Sequence, residues 1–403
     1  MALFRALQHR PFALLWSGQT ISSLGDSVYR IALAWWVLEE TGSATAMGVV
    51  LIFIFAPMLL FFLLGGVAVD RFPRARLMLV SDFLRGVVVG AIGLLVMADA
   101  LDLGHIYLAS IVFGLVDAVF QPAYTALVPE ITPRESLPSA NSLTTLSHQL
   151  AGIGGPALGA TLVGAGGTGV AFAADGLSFF ISGACLLPLT GLSVANLSGP
   201  GRRGVLKDLR EGFDTVFGSA WLWITIALFA LVNVTQGGPF HVALPFLVKD
   251  HLKADVGTLG LLYSTFSLGF VLGAVWLGRL TRIPRRGLLA YSSTVTSGLM
   301  TLALGLPIPI LGIFLAAFVR GVAYSAFGLI WTNTLQELVP RERLGRVSSI
   351  DYLGSFVLLP IGYGIAGVAT DVAGPALVFV IGGALTVGLA LLGLAHPSIR
   401  NLD

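Results

Sequence analysis

The sequence predicts an all-α membrane protein in which twelve transmembrane helices form two pseudo-symmetric bundles of six. Three observations carry this. Of 403 residues, 56% are hydrophobic and 11% charged, against about 25% charged in a soluble domain. Apolar runs long enough to cross a bilayer recur along the whole chain, and lipid is the solvent that accommodates them. The second half of the chain repeats the first at a constant offset.

A spanning helix needs about 20 mostly apolar residues. The first run, 11–38, follows a charged start from Met1 to Arg10. It is too long for a removed leader and has no small-residue cleavage pattern, so it reads as a span. Runs at 43–69, 77–98 and 104–128 follow, parted first by Arg71, Arg74 and Arg76 and then by Asp99 and Asp102. Runs at 139–165 and 169–194 are parted by Gly164-Ala165-Gly166-Gly167, which reads as an outward turn. After a Gly-, Ser- and Arg-rich stretch come 218–247, 256–278, 288–306, 308–335, 347–370 and 374–395. The narrowest break is the one at 307–309, where Pro307 and Pro309 flank Ile308.

Cytoplasmic loops of membrane proteins carry an excess of Lys and Arg. With the N-terminus inside, 18 of the 23 cations fall in inward segments, and only Lys249 and Lys253 fall in outward loops. Arg30, Arg85 and Arg320 fall within spans. Both termini are therefore expected in the cytoplasm, with the chain in the bacterial inner (plasma) membrane.

The repeat has an offset of 207 residues. Leu15-Trp16 falls on Leu222-Trp223, Asp26 on Asn233, and Gly114 on Gly321. Pro133-Arg134-Glu135-x-Leu137 falls on Pro340-Arg341-Glu342-x-Leu344. Matches in one register argue for duplication. The expected organisation is a six-helix bundle at 1–194, a cytoplasmic linker at 195–217 and a second bundle at 218–403. Two parallel halves with a site between them are a transporter layout.

Motifs narrow the class. The stretch Gly66-Val67-Ala68-Val69-Asp70-Arg71-Phe72-Pro73-Arg74-Ala75-Arg76 resembles the loop 2–3 signature of the major facilitator superfamily, G-x-x-x-D-R-x-G-R-R. Gly66, Asp70, Arg71 and Arg74 match, while Pro73 and Ala75 depart from it. The resemblance implies a conformational latch in which Asp70 caps the start of span eleven, expected near Ser348, Ser349 and Asp351. Gly66 is expected to let two helices approach closely. Asp82 and Arg85 are expected near the same surface, in the charge cluster around Asp70.

Span five contains Gly152, Gly155, Pro156 and Gly159. This is similar to the antiporter motif of drug-efflux facilitators, a kinked helix with a small-residue face. Leu15-Trp16-x-Gly18-Gln19, Gly25-Asp26, Ser81-Asp82-x-x-Arg85-Gly86 and Ala140-Asn141-Ser142-Leu143 resemble the bacterial drug:proton antiporter branch with macrolide-efflux proteins and the enterobactin exporter. Many members of that branch carry an Arg in span four. Here Phe113-Gly114-Leu115-Val116-Asp117 offers none.

An ionisable residue inside a span costs about 2.5–3.5 kcal/mol on insertion scales, so each is a functional candidate. Asp26 and Arg30 share one face of span one. Two readings stand: a structural ion pair, or a coupling site in which Asp26 loses its partner and takes up a proton. Asp117 joins them as a proton-coupling candidate. Arg320 in span ten binds an anionic group or forms a structural pair. Gln19, Ser22, Asn233, Gln236, Tyr324, Trp331 and Asn333 are the other expected cavity residues. Amides and aromatics among apolar walls suit an amphipathic organic molecule.

The near-neutral charge of +2 leaves no nucleic-acid footprint, and the single Cys185 excludes an intrachain disulfide. There is no P-loop, no metal-ligand spacing and no nucleophile–base pair. The expected function is secondary active export of a small amphipathic molecule (drug, macrolide or siderophore), coupled to protons, by a monomer without cofactors. A metabolite facilitator or importer, a lipid transporter, and a non-transporting receptor or scaffold are the alternatives.

Overall fold

The computed structural model describes residues 2–191, 205–279 and 284–403. The described residues are helical, and no strand occurs among them. A short 3-10 turn, Ala2–Gln8, leads into α1 (Arg10–Thr41). α2 (Ala44–Arg71), α3 (Arg74–Met97) and α4 (Leu103–Ile131) follow with tight connections. α1 stops because Gly42 adopts a left-handed conformation, φ 61°, and its N–H closes on the Leu38 carbonyl. α4 starts with a capping box: Asp102 accepts from the His105 N–H, and the His105 side chain accepts from the Asp102 N–H.

α5 (Leu137–Leu186) is a bent rod of two arms. Its bend is Gly167, at φ 78° and ψ 173°, a conformation that L side chains rarely adopt. The expected turn at Gly164–Gly167 is therefore carried by one residue. α6 (Val205–Phe217) lies in the stretch read as a polar linker, so part of that stretch is helical. Glu211 on α6 pairs with Arg346, and Thr215 accepts from Arg343. The linker residues 192–204, with Arg202 and Arg203, lie outside the described residues.

α7 (Ala220–Gly238) runs on through a π turn at Pro239–Ala243, the short α8 (Leu244–Phe246) and a second π turn at Leu247–His251. Pro239 and Pro245 lack the N–H that an α turn needs, and the wider turns accommodate them. α9 (Val256–Leu277), α10 (Arg286–Leu304) and α11 (Ile310–Leu338) come next. The break between α10 and α11 falls at Pro307 and Pro309 as expected, with Pro309 as the N-cap. The eleventh span is two pieces, α12 (Arg341–Phe356) and α13 (Leu359–Ala373), interrupted just before Pro360. α14 (Pro375–Ala395) and the short α15 (Pro397–Arg400) close the chain.

Ten helical stretches among the described residues are long and apolar enough to cross a membrane. They differ from the expected twelve at two places. One stretch, Arg134–Gly191, contains both arms of α5. The other place is α1, 32 residues long but carrying Gln19, Ser22, Asp26 and Arg30 in its middle.

The chain divides into two units. The first holds Met1–Gly42, Val49–Gly199 and Ala254–Ser264; the second holds Ser43–Gly48, Pro200–Lys253 and Thr265–Asp403. In the first unit α1 packs against α5 through small residues. A Cβ on Gly155 would collide with Ser27, and one on Gly159 would fall 2.9 Å from Val28 Cα. The first turns of α9 use the same face, where Gly260 meets the Pro156 carbonyl. Gly114 seats α4 on the Ile54 carbonyl of α2. In the second unit the matching Gly321 seats α11 on the Phe266 carbonyl of α9. The expected close approach at Gly66 is not found, since a Cβ there would meet nothing within 4 Å. Its neighbour Gly65 makes the approach, against the Ala118 carbonyl. One residue turns about 100° around a helix, so the contact face passes to the adjacent glycine.

The second unit also takes the first turn of α2. Asp371 on α13 accepts from the N–H groups of Ala44 and Thr45, at 2.7 and 2.9 Å, and from the Ser43 hydroxyl. A carboxylate there satisfies the free donors of a helix start and its partial positive charge.

Candidate functional site

Each unit carries a buried polar centre. In the first it is built around Arg85. Asp82 and Arg85 were expected near the surface beside Asp70; instead Asp82 is 0% and Arg85 3% exposed. Arg85 stands eleven residues into α3, about 16 Å along its axis, which carries it well inside the bundle. Arg85 Nη2 donates to Asp82 Oδ1 at 2.7 Å, and Nη1 lies 3.5 Å from Asp117 Oδ1. Its guanidinium also lies over the Phe120 and Phe179 rings, at 4.1 and 4.6 Å from their centroids. The second Asp82 oxygen accepts from Ser182, and Ser182 accepts from Gln19, at 2.7 and 2.8 Å. One cation thus holds two carboxylates from α3 and α4, and the far arm of α5 and α1 complete the shell.

This arrangement corrects two further expectations. Gln19 and Ser22 are buried in helix packing, so they belong to the inside of the first unit and not to a cavity wall. Among the described residues, no ion pair joins Asp26 to Arg30. Arg30 is exposed and donates to Ser27, 2.8 Å away. A three-residue step reached a hydroxyl that competes for the guanidinium. Asp26 itself lies within electrostatic reach of Arg85, Arg30 and His148.

The latch residues are only partly placed. The side chain of Asp70 lies outside the described residues, and Arg71 is exposed. Arg74 pairs with Glu130 at 2.7 Å and also donates to the Ala126 carbonyl. Asp351 does not stand at a helix start. α12 begins ten residues earlier, at Arg341, because Pro340 supplies its N-cap. Asp351 faces the second polar centre instead.

That centre is a cavity of about 190 Å³ inside the second unit, walled by α7, α10, α11 and α12. Asn233, Gln236, Tyr324 and Trp331 line it, and Asp351 joins them. Asn333 does not line it. One wall is polar. Gln236 Oε1 accepts from Ser297 at 2.7 Å, and Asn233 donates to the Ser355 carbonyl at 2.9 Å. The other wall is a ladder of rings: Phe229 stacks on Phe327 at 3.8 Å, and Phe327 runs nearly parallel to Trp331 at 6.1 Å. Trp331 Nε1 donates to Asp351 Oδ2 at 3.0 Å, fixing one carboxyl oxygen. The volume is below the roughly 300–1,000 Å³ of drug-sized pockets, so it accepts a group rather than a whole drug.

Arg320 is buried close by, 3% exposed. Its Nε donates to Thr301 at 3.0 Å and Nη2 to the Gln236 carbonyl at 3.5 Å. The guanidinium lies 4.1 Å from the Phe240 centroid and 5.0 Å from that of Phe266.

Asp175 was missed in the sequence. It is 0% exposed, and its Oδ1 accepts from Ser178 at 3.2 Å. The signal was present: Asp175 is the only charge in the expected span 169–194.

Residues 1–326 match the family described as transmembrane secretion effector, a branch of the major facilitator superfamily. The chain belongs to that family. It is 28% identical to the multidrug efflux pump Tap of Mycolicibacterium fortuitum, over 98% of this chain and 97% of the pump. It is 22% identical to macrolide efflux protein A of Streptococcus pyogenes, over 97% of each. A bacterial homologue of the iron transporter ferroportin, solved in an inward-facing state, shares the fold with a TM-score of 0.74 at 15% identity. The match covers 96% of this chain and 99% of that one. This secretion-effector protein is a multi-pass membrane transporter and not an enzyme.

Proposed function

We propose that the protein is a proton-coupled exporter of an amphipathic organic compound, a drug, macrolide or siderophore, working by alternating access. The observation that carries the substrate side is the cavity of the second unit. Stacked rings on one wall, amides on the other and the single carboxylate of Asp351 favour a molecule that presents a flat apolar group and a basic nitrogen. The efflux activities named for its relatives support the direction. The carboxyls gathered near Arg85, namely Asp26, Asp82 and Asp117, support protons as the coupling ion, because buried acids inside spans mark proton relays. Both arms of α5 and the polar α1 are read as crossing, which gives twelve spans in two bundles. The division at 1–194 and 218–403 is proposed with them. So are cytoplasmic termini and a place in the bacterial plasma membrane.

Inside-out vesicles provide the test. With an imposed pH gradient they should accumulate a basic amphipathic dye, and a protonophore should release it. Asp351→Asn should lower accumulation of the basic dye about tenfold while sparing a neutral analogue. Accumulation that ignores the protonophore would refute the coupling. Equal loss of both dyes would refute the role of Asp351.

A further inference from the structure

The first unit holds more buried acid than buried base. Arg85 already engages Asp82 and Asp117. Arg30 is exposed and turned to Ser27. Asp175 has neither. Its Oδ1 takes one hydrogen bond from Ser178, and its Oδ2 has no partner although the residue is fully buried. Among the described residues no cation pairs with it.

Helix packing closes on the carboxyl from two sides. A Cβ on Gly25 of α1 would collide with the Asp175 carboxyl and the Ser178 hydroxyl. On the other side, a Cβ on Gly176 would fall 2.9 Å from the Gly90 nitrogen of α3. Asp175 is thus clamped between α1 and α3. Beside it the buried Tyr29 hydroxyl also lacks a partner, and it lies within electrostatic reach of Asp175, Asp26 and Asp117. The charges that act on Asp175 are Asp26 and Arg30 from α1 and Arg85 from α3. A bare carboxylate in such a place is strongly disfavoured against its neutral acid.

We propose that the Asp175 carboxyl is a proton-binding site, protonated in this conformation, and the second acid of a proton relay with Asp26. The step is a transfer of one proton. The O–H bond on Asp175 breaks, an O–H bond forms on the Asp26 carboxylate, and no group is oxidised or reduced. The contact at Gly25 places Asp175 against the residue next to Asp26, so the relay crosses from the far arm of α5 to α1. The relay rests on the proton-coupled reading; the protonation of Asp175 does not.

Infrared spectroscopy of the full-length protein in lipid tests the protonation directly. At pH 7 the wild type should show the C=O stretch of a protonated carboxyl, shifted in D2O, and Asp175→Asn should lose that band. An unchanged band in Asp175→Asn overturns the proposal. Asn resembles the neutral acid, so Asp175→Asn should fold with wild-type thermal stability. If Asp175→Asn fails to fold while Asp175→Glu folds and shows no protonated-carboxyl band, a charged carboxylate was needed and the proposal is overturned. In vesicles Asp175→Asn should lose gradient-driven accumulation at least tenfold while keeping substrate exchange at zero gradient. Unchanged gradient dependence overturns the relay. If the wild type itself ignores the gradient, the functional reading fails, and the infrared band still decides the site.

Discussion

Tyr29 and Phe113 in the first unit match Gln236 and Arg320 in the second, position for position at the offset of 207. Both pairs are in contact. Tyr29 and Phe113 stack at 5.1 Å with 4° between their planes. Arg320 donates to the Gln236 carbonyl. The same helix–helix contact has kept its place and exchanged its chemistry. The four buried or half-buried acids of the first unit follow the same pattern. Asp26, Asp82, Asp117 and Asp175 fall on Asn233, Leu289, Tyr324 and Gly382, and Arg85 falls on Ser292. One unit concentrates titratable groups in tight packing. The other has neutral residues at those positions and a cavity beside them, with Asp351 as its acid. The division of labour is read from what replaced each charge.

The contrast can be broken most forcefully at Arg85. Arg85→Gln leaves Asp82 fully buried without its cation, a loss of about 3–5 kcal/mol. It should appear as a large drop in the unfolding temperature of the purified protein in detergent. Adding Asp82→Asn should recover most of it. Arg320→Gln tests the other unit. It removes a donor from Thr301 and the Gln236 carbonyl, which costs about 1–3 kcal/mol, so its unfolding temperature should lie between those of wild type and Arg85→Gln. If the two variants are equally unstable, the contrast between a cation paired with carboxylates and a cation held by neutral acceptors fails. Tyr29→Phe sharpens the picture at the smallest scale. Its buried hydroxyl has no partner, so removing it should leave stability unchanged or raise it by up to about 1 kcal/mol in the same assay.

Much of the architecture was legible because it rests on local rules. Pro307 and Pro309 end one helix and begin the next wherever they occur in such a run. Gly114 and Gly321 recur because two helices cross at the same point of each unit. Gly155 and Gly159 announced a small face, and α1 fills it. The sites were less legible because depth and facing decide them. Asp82 and Arg85 read as surface residues from their nearness to a loop, yet three turns of helix bury them. Gly65 replaced Gly66 through a rotation of one residue. Asp351 moved from a helix start to a cavity wall because Pro340 starts α12 earlier than the apolar run does. Asp175 required only the insertion-cost argument already applied to Asp26.

Gly167 has a consequence for how the chain is made. The bend residues Gly164 to Thr168 carry no charge and one hydroxyl. A bend without charge costs little to place in a bilayer, so both arms of α5 can insert together during synthesis. Its direction must then be dictated from its two ends, beginning with Arg134, rather than from the bend.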